Sequence, residues 1–359
     1  MQQLLRKEGV LLQYNILAMK KLKYHKHVIF KSAFSLAIMM FAVTLCNAQS
    51  TAHQFLLALS KANHTLAIVN PVTLKVLARV PVGVDPHEVI ASSDGKTAYV
   101  SIYGGGSLHT LNVIDLVSKK PLFNIDTRPL FGPHGITFVK GKVWFTAEGS
   151  KAVGRYDPAT RKFDWCMGTG QDRTHMIYVS ANGRKIYTTN VVSGTVSILE
   201  DTLVRPGPHE NWIETTIPTE RGSEGFDISP DGTELWTASA DDGTIFIINL
   251  ATKKVETKID AKILGANRLK FTPDGKMVFI SSLRSGELRI YNAKTRKEIK
   301  RINIGHGAAG ILMDPNGSRA FVGCTPDNYV AVIDLKTLKV IGHIDVGGNP
   351  DGLAWAVQR

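Results

Sequence analysis

The chain has 359 residues, 43% of them apolar, and a formal net charge of +12. That apolar share is enough for a large core, held in one big domain or in two to three ordinary ones. Seven Lys/Arg and one Glu of residues 1–48 account for about half of the charge, so the remainder is mildly basic and does not call for a nucleic-acid partner.

The N-terminus reads as a targeting segment. A basic stretch, MKKLKYHKHVIFK (19–31), precedes 14 apolar residues, SAFSLAIMMFAVTL (32–45), and then CNAQS, with Ala48 as the last residue before cleavage. Residues 1–48 are therefore expected to be a signal peptide, with Met19 as the true start. The apolar run is short for a membrane anchor. Acylation at Cys46 is disfavoured because Leu45 is bulky where a lipobox has a small residue. The mature protein is expected to be periplasmic or secreted, with no membrane span after cleavage. Its two remaining cysteines, Cys166 and Cys324, fall in distant repeats and are expected to be free, buried or half-buried thiols.

After residue 48 the sequence repeats itself. SSDGKTAYVS (92–101) returns as SANGRKIYTT (180–189), SPDGTELWTA (229–238), TPDGKMVFIS (272–281) and DPNGSRAFVG (314–323), with a weaker copy in FVKGKVWFT (138–146). A second signature follows each copy, as in LNVIDLVSKK, FIINLATKKV and VAVIDLKTLK. The position seven residues before each Asp/Asn-Gly pair holds His87, His175, Glu224, Asn267 and Ala309, His134 takes the same place by alignment of flanking residues, and Asp351 starts a partial copy; the spacings are 47, 41, 49, 43, 42 and 42 residues. Repeats of 40–50 residues belong to propellers and solenoids. Within one repeat, an apolar run, an Asp-Gly hairpin and three further runs of Val, Ile and aromatic residues spell four antiparallel strands, which is one propeller blade. Asp115, Asp157, Asn249, Asn292 and Asp334 recur where a side chain would cap the turn into the fourth strand.

Residues 55–80 hold three strands and 350–357 hold one, so the two ends of the chain complete one blade beside six full copies. The expected fold is all-β: a seven-bladed β-propeller of four-stranded antiparallel blades, spanning 49–359 as one domain, its ring closed by the C-terminal strand. Trp144, Trp236, Tyr187 and Phe279 are expected between blades. The repeat resembles the YVTN/YncE-like seven-bladed propellers over residues 53–358, with AYVS, IYTT and FVGC in place of a literal YVTN. That resemblance implies an exported or surface protein and no single shared chemistry.

In a propeller, the residue entering each first strand faces the central channel. Three consecutive blades offer His there and the fourth offers Glu. His87, His134, His175 and Glu224 are therefore candidate ligands of a transition metal (Zn, Cu, Ni or Fe). The competing readings are a metal-free ligand or catalytic site and a purely structural P-H loop. An oxygen-rich alternative combines Glu224, Asn267 and Asp351, as in gluconolactonase-like calcium propellers, though those have six blades. Arg173 and Arg268 flank the ring and suit pairing with Glu224 or an anionic ligand. Glu148 and Asn190, with Tyr103, His109, Asp241, Asp242, Arg284 and Asp327, sit on loops expected to open on the same face. Gly104 to Gly106 read as a flexible loop. The insertion at 201–216 places His209 and Trp212 as partner contacts on the opposite face.

No nucleophile elbow, H-E-x-x-H, C-x-x-C or P-loop occurs. Two functions remain open: a monomeric binding module taking a small molecule or protein at the channel face, and a metal-dependent enzyme, lactonase-like or redox.

Overall fold

The structure is a computed structural model that describes residues 53–202 and 211–358. The expected signal peptide, Met19, Cys46 and His209 lie outside those residues. The described chain forms seven four-stranded antiparallel sheets. Blade 1 combines Pro350–Gln358 with His53–Ser60, Thr65–Val69 and Val76–Pro81. The inner strands of blades 2 to 7 are Pro86–Ala91, Pro133–Val139, Thr174–Val179, Ser223–Ile228, Ala266–Phe271 and Ala308–Met313. Each packs on the next, and Pro350–Gln358 packs on both Ala308–Met313 and Pro86–Ala91, which shuts the ring.

Local chemistry explains the blades. In each Asp/Asn-Gly hairpin the glycine takes the left-handed conformation, with φ between 69° and 73° at Gly95, Gly183, Gly232, Gly275 and Gly317. The preceding side chain then fastens the turn: Asp94 Oδ1 accepts from Ser92 Oγ at 2.6 Å and from the Lys96 amide at 3.1 Å, and Asp231 and Asp274 repeat the pattern. The outer turns are capped as expected, with Asp115 Oδ1 accepting the Val117 amide at 2.8 Å and Asn249 Oδ1 accepting the Ala251 amide at 2.9 Å. Closure is a full ladder, running from Gln54↔Val357 through Leu57↔Ala354 to Ser60↔Pro350.

The core lies between blades. Trp236, Phe145, Phe246, Phe279 and Phe321 are fully buried, and Trp144 and Tyr187 nearly so. Cys324 is buried, but Cys166 is exposed, because it sits on the outward side of the outer strand Lys162–Gly168. Both are free thiols. Gly104–Gly106 form one 3-10 turn rather than an unstructured loop. Among the described residues, no helix is long and apolar enough to cross a membrane.

One distortion recurs in every blade. Pro86 pairs with Ile102 and Val89 with Val100, so three steps on the inner strand match two on its neighbour. The same single-residue bulge follows Pro133, Thr174, Ser223, Ala266, Ala308 and Pro350. It leaves the second and third residues of each inner strand outside the ladder. The third is Gly135, Gly225, Gly310 or Gly352 in four blades, and a Cβ there would run into the carbonyl of His175, Asn267, Asp351 or His87 on the next blade. Second-strand hydroxyls fasten the equivalent carbonyls: Thr146 Oγ1 donates to His175 O, Thr189 Oγ1 to Glu224 O at 2.6 Å and Ser281 Oγ to Ala309 O at 2.8 Å.

Gly225→Ala is expected to lower stability by about 2 kcal/mol, since the methyl group must push a backbone carbonyl in a packed ring. Urea unfolding should show the midpoint drop, whereas an unchanged midpoint would mean that the inner strands are not in close contact.

Candidate functional site

The bulge positions the site. The seven residues aligned from the repeat are each the second residue of an inner strand. The structure therefore brings His87, His134, His175, Glu224, Asn267, Ala309 and Asp351 to one end of the axis. Three imidazoles form a row. The ring centroids of His87 and His134 are 4.6 Å apart, and those of His134 and His175 are 3.9 Å apart. Tyr103 stands edge-on to His87 and His134 at 4.7 and 5.1 Å.

Carboxylates surround the His175 end. Its Nδ1 donates to Glu148, and the Tyr103 hydroxyl donates to the other oxygen of that carboxylate. His175 Nε2 lies 3.2 Å from Glu224 Oε1 but makes no aligned hydrogen bond. Arg173 faces both acids, 3.5 Å from Glu148 and 3.9 Å from Glu224. Glu148 comes from the loop after the second strand of blade 3, as the sequence reading placed it, and is buried there.

The His87 end is also charged. Lys61 Nζ donates to His87 Nε2 at 2.7 Å, and Asp85 Oδ1 lies 2.9 Å from the same nitrogen. Asp351 Oδ2 is 3.4 Å from Lys61, and its other oxygen is 4.0 Å from Arg268. Arg268 binds Glu88 directly, an ion pair that crosses between blades 6 and 2.

Protonation follows from these contacts. Burial pushes the His134 imidazole well below its ordinary value, and the charges of His175 and His87 add to that. Burial also disfavours charge on His175, but its hydrogen bond to Glu148 and the nearby Glu224 outweigh it and raise the value. Burial would raise Glu224, yet His175 and the arginines bring it down to about 2. Glu148 is lowered in the same way. Burial pushes Glu88 up, while the guanidinium in direct contact keeps it the anionic partner of Arg268, whose own value is raised by Glu88 and Asp351. Glu224 thus stabilises the fold above its ordinary value and loses that contribution as pH falls toward 2. His175 contributes below 6.5 and loses its contribution as pH rises through the raised value.

Two nitrogens have no partner. His134 Nδ1 and His175 Nε2 are buried and accept or donate no hydrogen bond. His134, Glu148 and His175 each offer a ligand atom, all within 4.8 Å of one another. His87 stays in the row but its Nε2 is engaged by Lys61 and Asp85.

Other expected residues have separate duties. Asn190 is the last residue of its strand and turns into its own blade, where its amide donates to Thr195 at 3.0 Å and Ser197 at 2.8 Å. Asn267 is buried at the ring with its Oδ1 unpartnered. His109 bonds Asp126, Asp242 caps Thr244, and Asp327 holds His306. Lys61, Asp85 and Glu88 escaped the sequence reading. Asp85 had a signal, since four of the six other blades carry Gly two residues before the aligned position.

No family model matches the sequence, and no curated protein matches it. The fold does have solved neighbours. A functionally unknown protein from Desulfotomaculum acetoxidans DSM 771 superposes with a TM-score of 0.69 at 14% identity, over 84% of this chain and 98% of that one. A "putative 6-phosphogluconolactonase" from Bacteroides fragilis NCTC 9343 gives 0.69 at 14%, over 86% and 99%. Kuenenia stuttgartiensis hydrazine synthase gives 0.64 at 16%, over 75% and 89%. At such identities the likeness establishes the seven-bladed fold alone.

Arg268→Met should cost about 3–5 kcal/mol, because it leaves Glu88 buried and unpaired. The double variant with Glu88→Gln should regain most of that loss in thermal unfolding. Equal instability of single and double variants would show that the pair is not coupled.

Proposed function

We propose that the protein is an exported, YVTN/YncE-like β-propeller that binds a divalent transition metal at the axial end of its ring and presents it to a small ligand. The observation that carries this reading is the pair of buried, unpartnered imidazole nitrogens, His134 Nδ1 and His175 Nε2, beside Glu148 and Glu224. A buried polar atom without a partner is destabilising, and a cation among them removes that cost. His134 and His175 would hold the metal, with Glu224 as the carboxylate donor beside His175 Nε2, while Glu148 holds His175 Nδ1 from behind. Two imidazoles with carboxylate oxygens suit zinc, and also copper, nickel or iron.

Charge supports the same reading. Among the described residues, Asp85, Glu88, Glu148, Glu224 and Asp351 face only Lys61, Arg173 and Arg268 as permanent cations. A dication with neutral His175 balances that set. In its absence the proton on His175 takes part of the same role. The Tyr103–Glu148–His175 chain fixes the ring orientation of His175 through Nδ1, the arrangement that supports an imidazole ligand from behind.

When bound, such a metal supplies Lewis-acid polarisation of a carbonyl or a bound water of lowered pKa. Ester or lactone hydrolysis is therefore the first activity to assay, a choice supported by the "putative 6-phosphogluconolactonase" neighbours of the fold.

Mass spectrometry of protein purified from its export compartment should show one transition metal per chain, and none in a His134→Ala/His175→Ala variant that still folds. Full metal content in that variant would refute the site. Because binding must displace the His175 proton, affinity for zinc should fall about tenfold per pH unit below the raised value of that imidazole. A pH-independent affinity would place the metal elsewhere.

A further inference from the structure

The residue two before each aligned site position is left-handed in all seven blades: Asp85, Gly132, Arg173, Gly222, Gly265, Gly307 and Asn349, with φ from 52° to 83°. Four blades use glycine there, and space explains why. A Cβ would come within 2.7 Å of Gly106 from Gly132, 2.8 Å of the Ala240 amide from Gly222, and 2.5 Å of Pro326 from Gly307. Three blades instead open the corner to admit a side chain. Asp and Asn tolerate this conformation because their short polar groups bond locally. Arginine lacks that local bond, but Arg161 and Arg296 take the same conformation at outer turns, so what sets Arg173 apart is its place beside the imidazole row.

The position of Arg173 indicates its task. Its side chain is 40% exposed, whereas Glu148 beneath it is 3% exposed. It touches Glu148 and Glu224 only at 3.5 and 3.9 Å, longer than a direct hydrogen bond. At the other end of the imidazole row stands Lys61, 25% exposed. Lys61 is committed to His87, Asp85 and Asp351, and Arg268 is buried against Glu88, which leaves Arg173 as the partly exposed cation beside the unsatisfied half of the row.

We propose that Arg173 binds a small oxyanion, a carboxylate or a phosphate, on the open side of the metal site. This rests on the metal reading. A metal at Glu224 neutralises charge that engages Arg173, and the planar fork of donors on Arg173 then suits two oxygens of one anion. The guanidinium would take the anion on the side where the metal supplies further positive charge, so the class of ligand is an acidic metabolite or its phosphorylated counterpart rather than a neutral or cationic molecule.

The test is calorimetric titration of the zinc-loaded full chain with inorganic phosphate and, separately, acetate. The anion that binds names the source. Arg173→Gly removes the fork but keeps the corner, whose carbonyl still accepts the Val191 amide at 3.0 Å. It should weaken anion binding about tenfold or more, while leaving zinc stoichiometry intact and the melting temperature unchanged or higher, because glycine relieves the strained corner. Unchanged anion affinity would overturn the proposal. So would weaker binding accompanied by lost zinc or a lower melting temperature, which would make Arg173 a structural residue. Wild-type protein that takes zinc but neither anion refutes this proposal and leaves the metal reading standing. Protein that takes no zinc refutes both.

Discussion

Everything in this molecule depends on how closely seven inner strands approach one another at one end of the axis. That approach is a packing constraint before it is a functional one. Gly135, Gly225, Gly310 and Gly352 lie where a single methyl group would overlap the next blade's backbone. Thr146, Thr189 and Ser281 hold the neighbouring carbonyls in place. The shared bulge releases two residues per blade from the ladder, and ring closure forces those residues to share one small volume. Side chains 40 to 50 residues apart in sequence become direct neighbours as a result.

The content of that volume is unusual for a packing device. Apolar side chains would fill it more favourably, since a buried ion pair seldom repays its desolvation. Instead it holds three imidazoles, two arginines and several carboxylates. The His87 end is satisfied by Lys61, Asp85 and Asp351. The His175 end is only partly satisfied, which separates a supporting half from a half that has capacity for a cation. The Arg268–Glu88 pair joins opposite blades across the axis and keeps the two halves in register.

Much of this was legible in the sequence, for physical reasons that differ by residue. The Asp-Gly hairpins and the repeat length defined the blades, and aligning the repeats placed His87, His134, His175 and Glu224 at equivalent points. Tyr103 and Glu148 were legible as loop residues of the same face. Their contact with each other was not, since it depends on the tilt of two blades. Glu88 was illegible because its partner Arg268 is 180 residues away and meets it only through closure. Lys61 arrives from the blade that both termini build. Asn190 looked like its loop neighbours, but the last residue of that strand faces inward, as do Ile102, Ala147 and Ser239 in other blades. Alternation along the strand, rather than nearness to the loop, decides its direction.

X-ray absorption at the zinc edge, on the zinc-loaded protein, tests the central claim most directly. The account predicts a spectrum with two imidazole nitrogens and at least one carboxylate oxygen, and loss of the imidazole scattering in the His134→Ala/His175→Ala variant. A zinc shell of water and surface ligands, identical in wild type and variant, would contradict it and leave the row of histidines as a structural element of the ring.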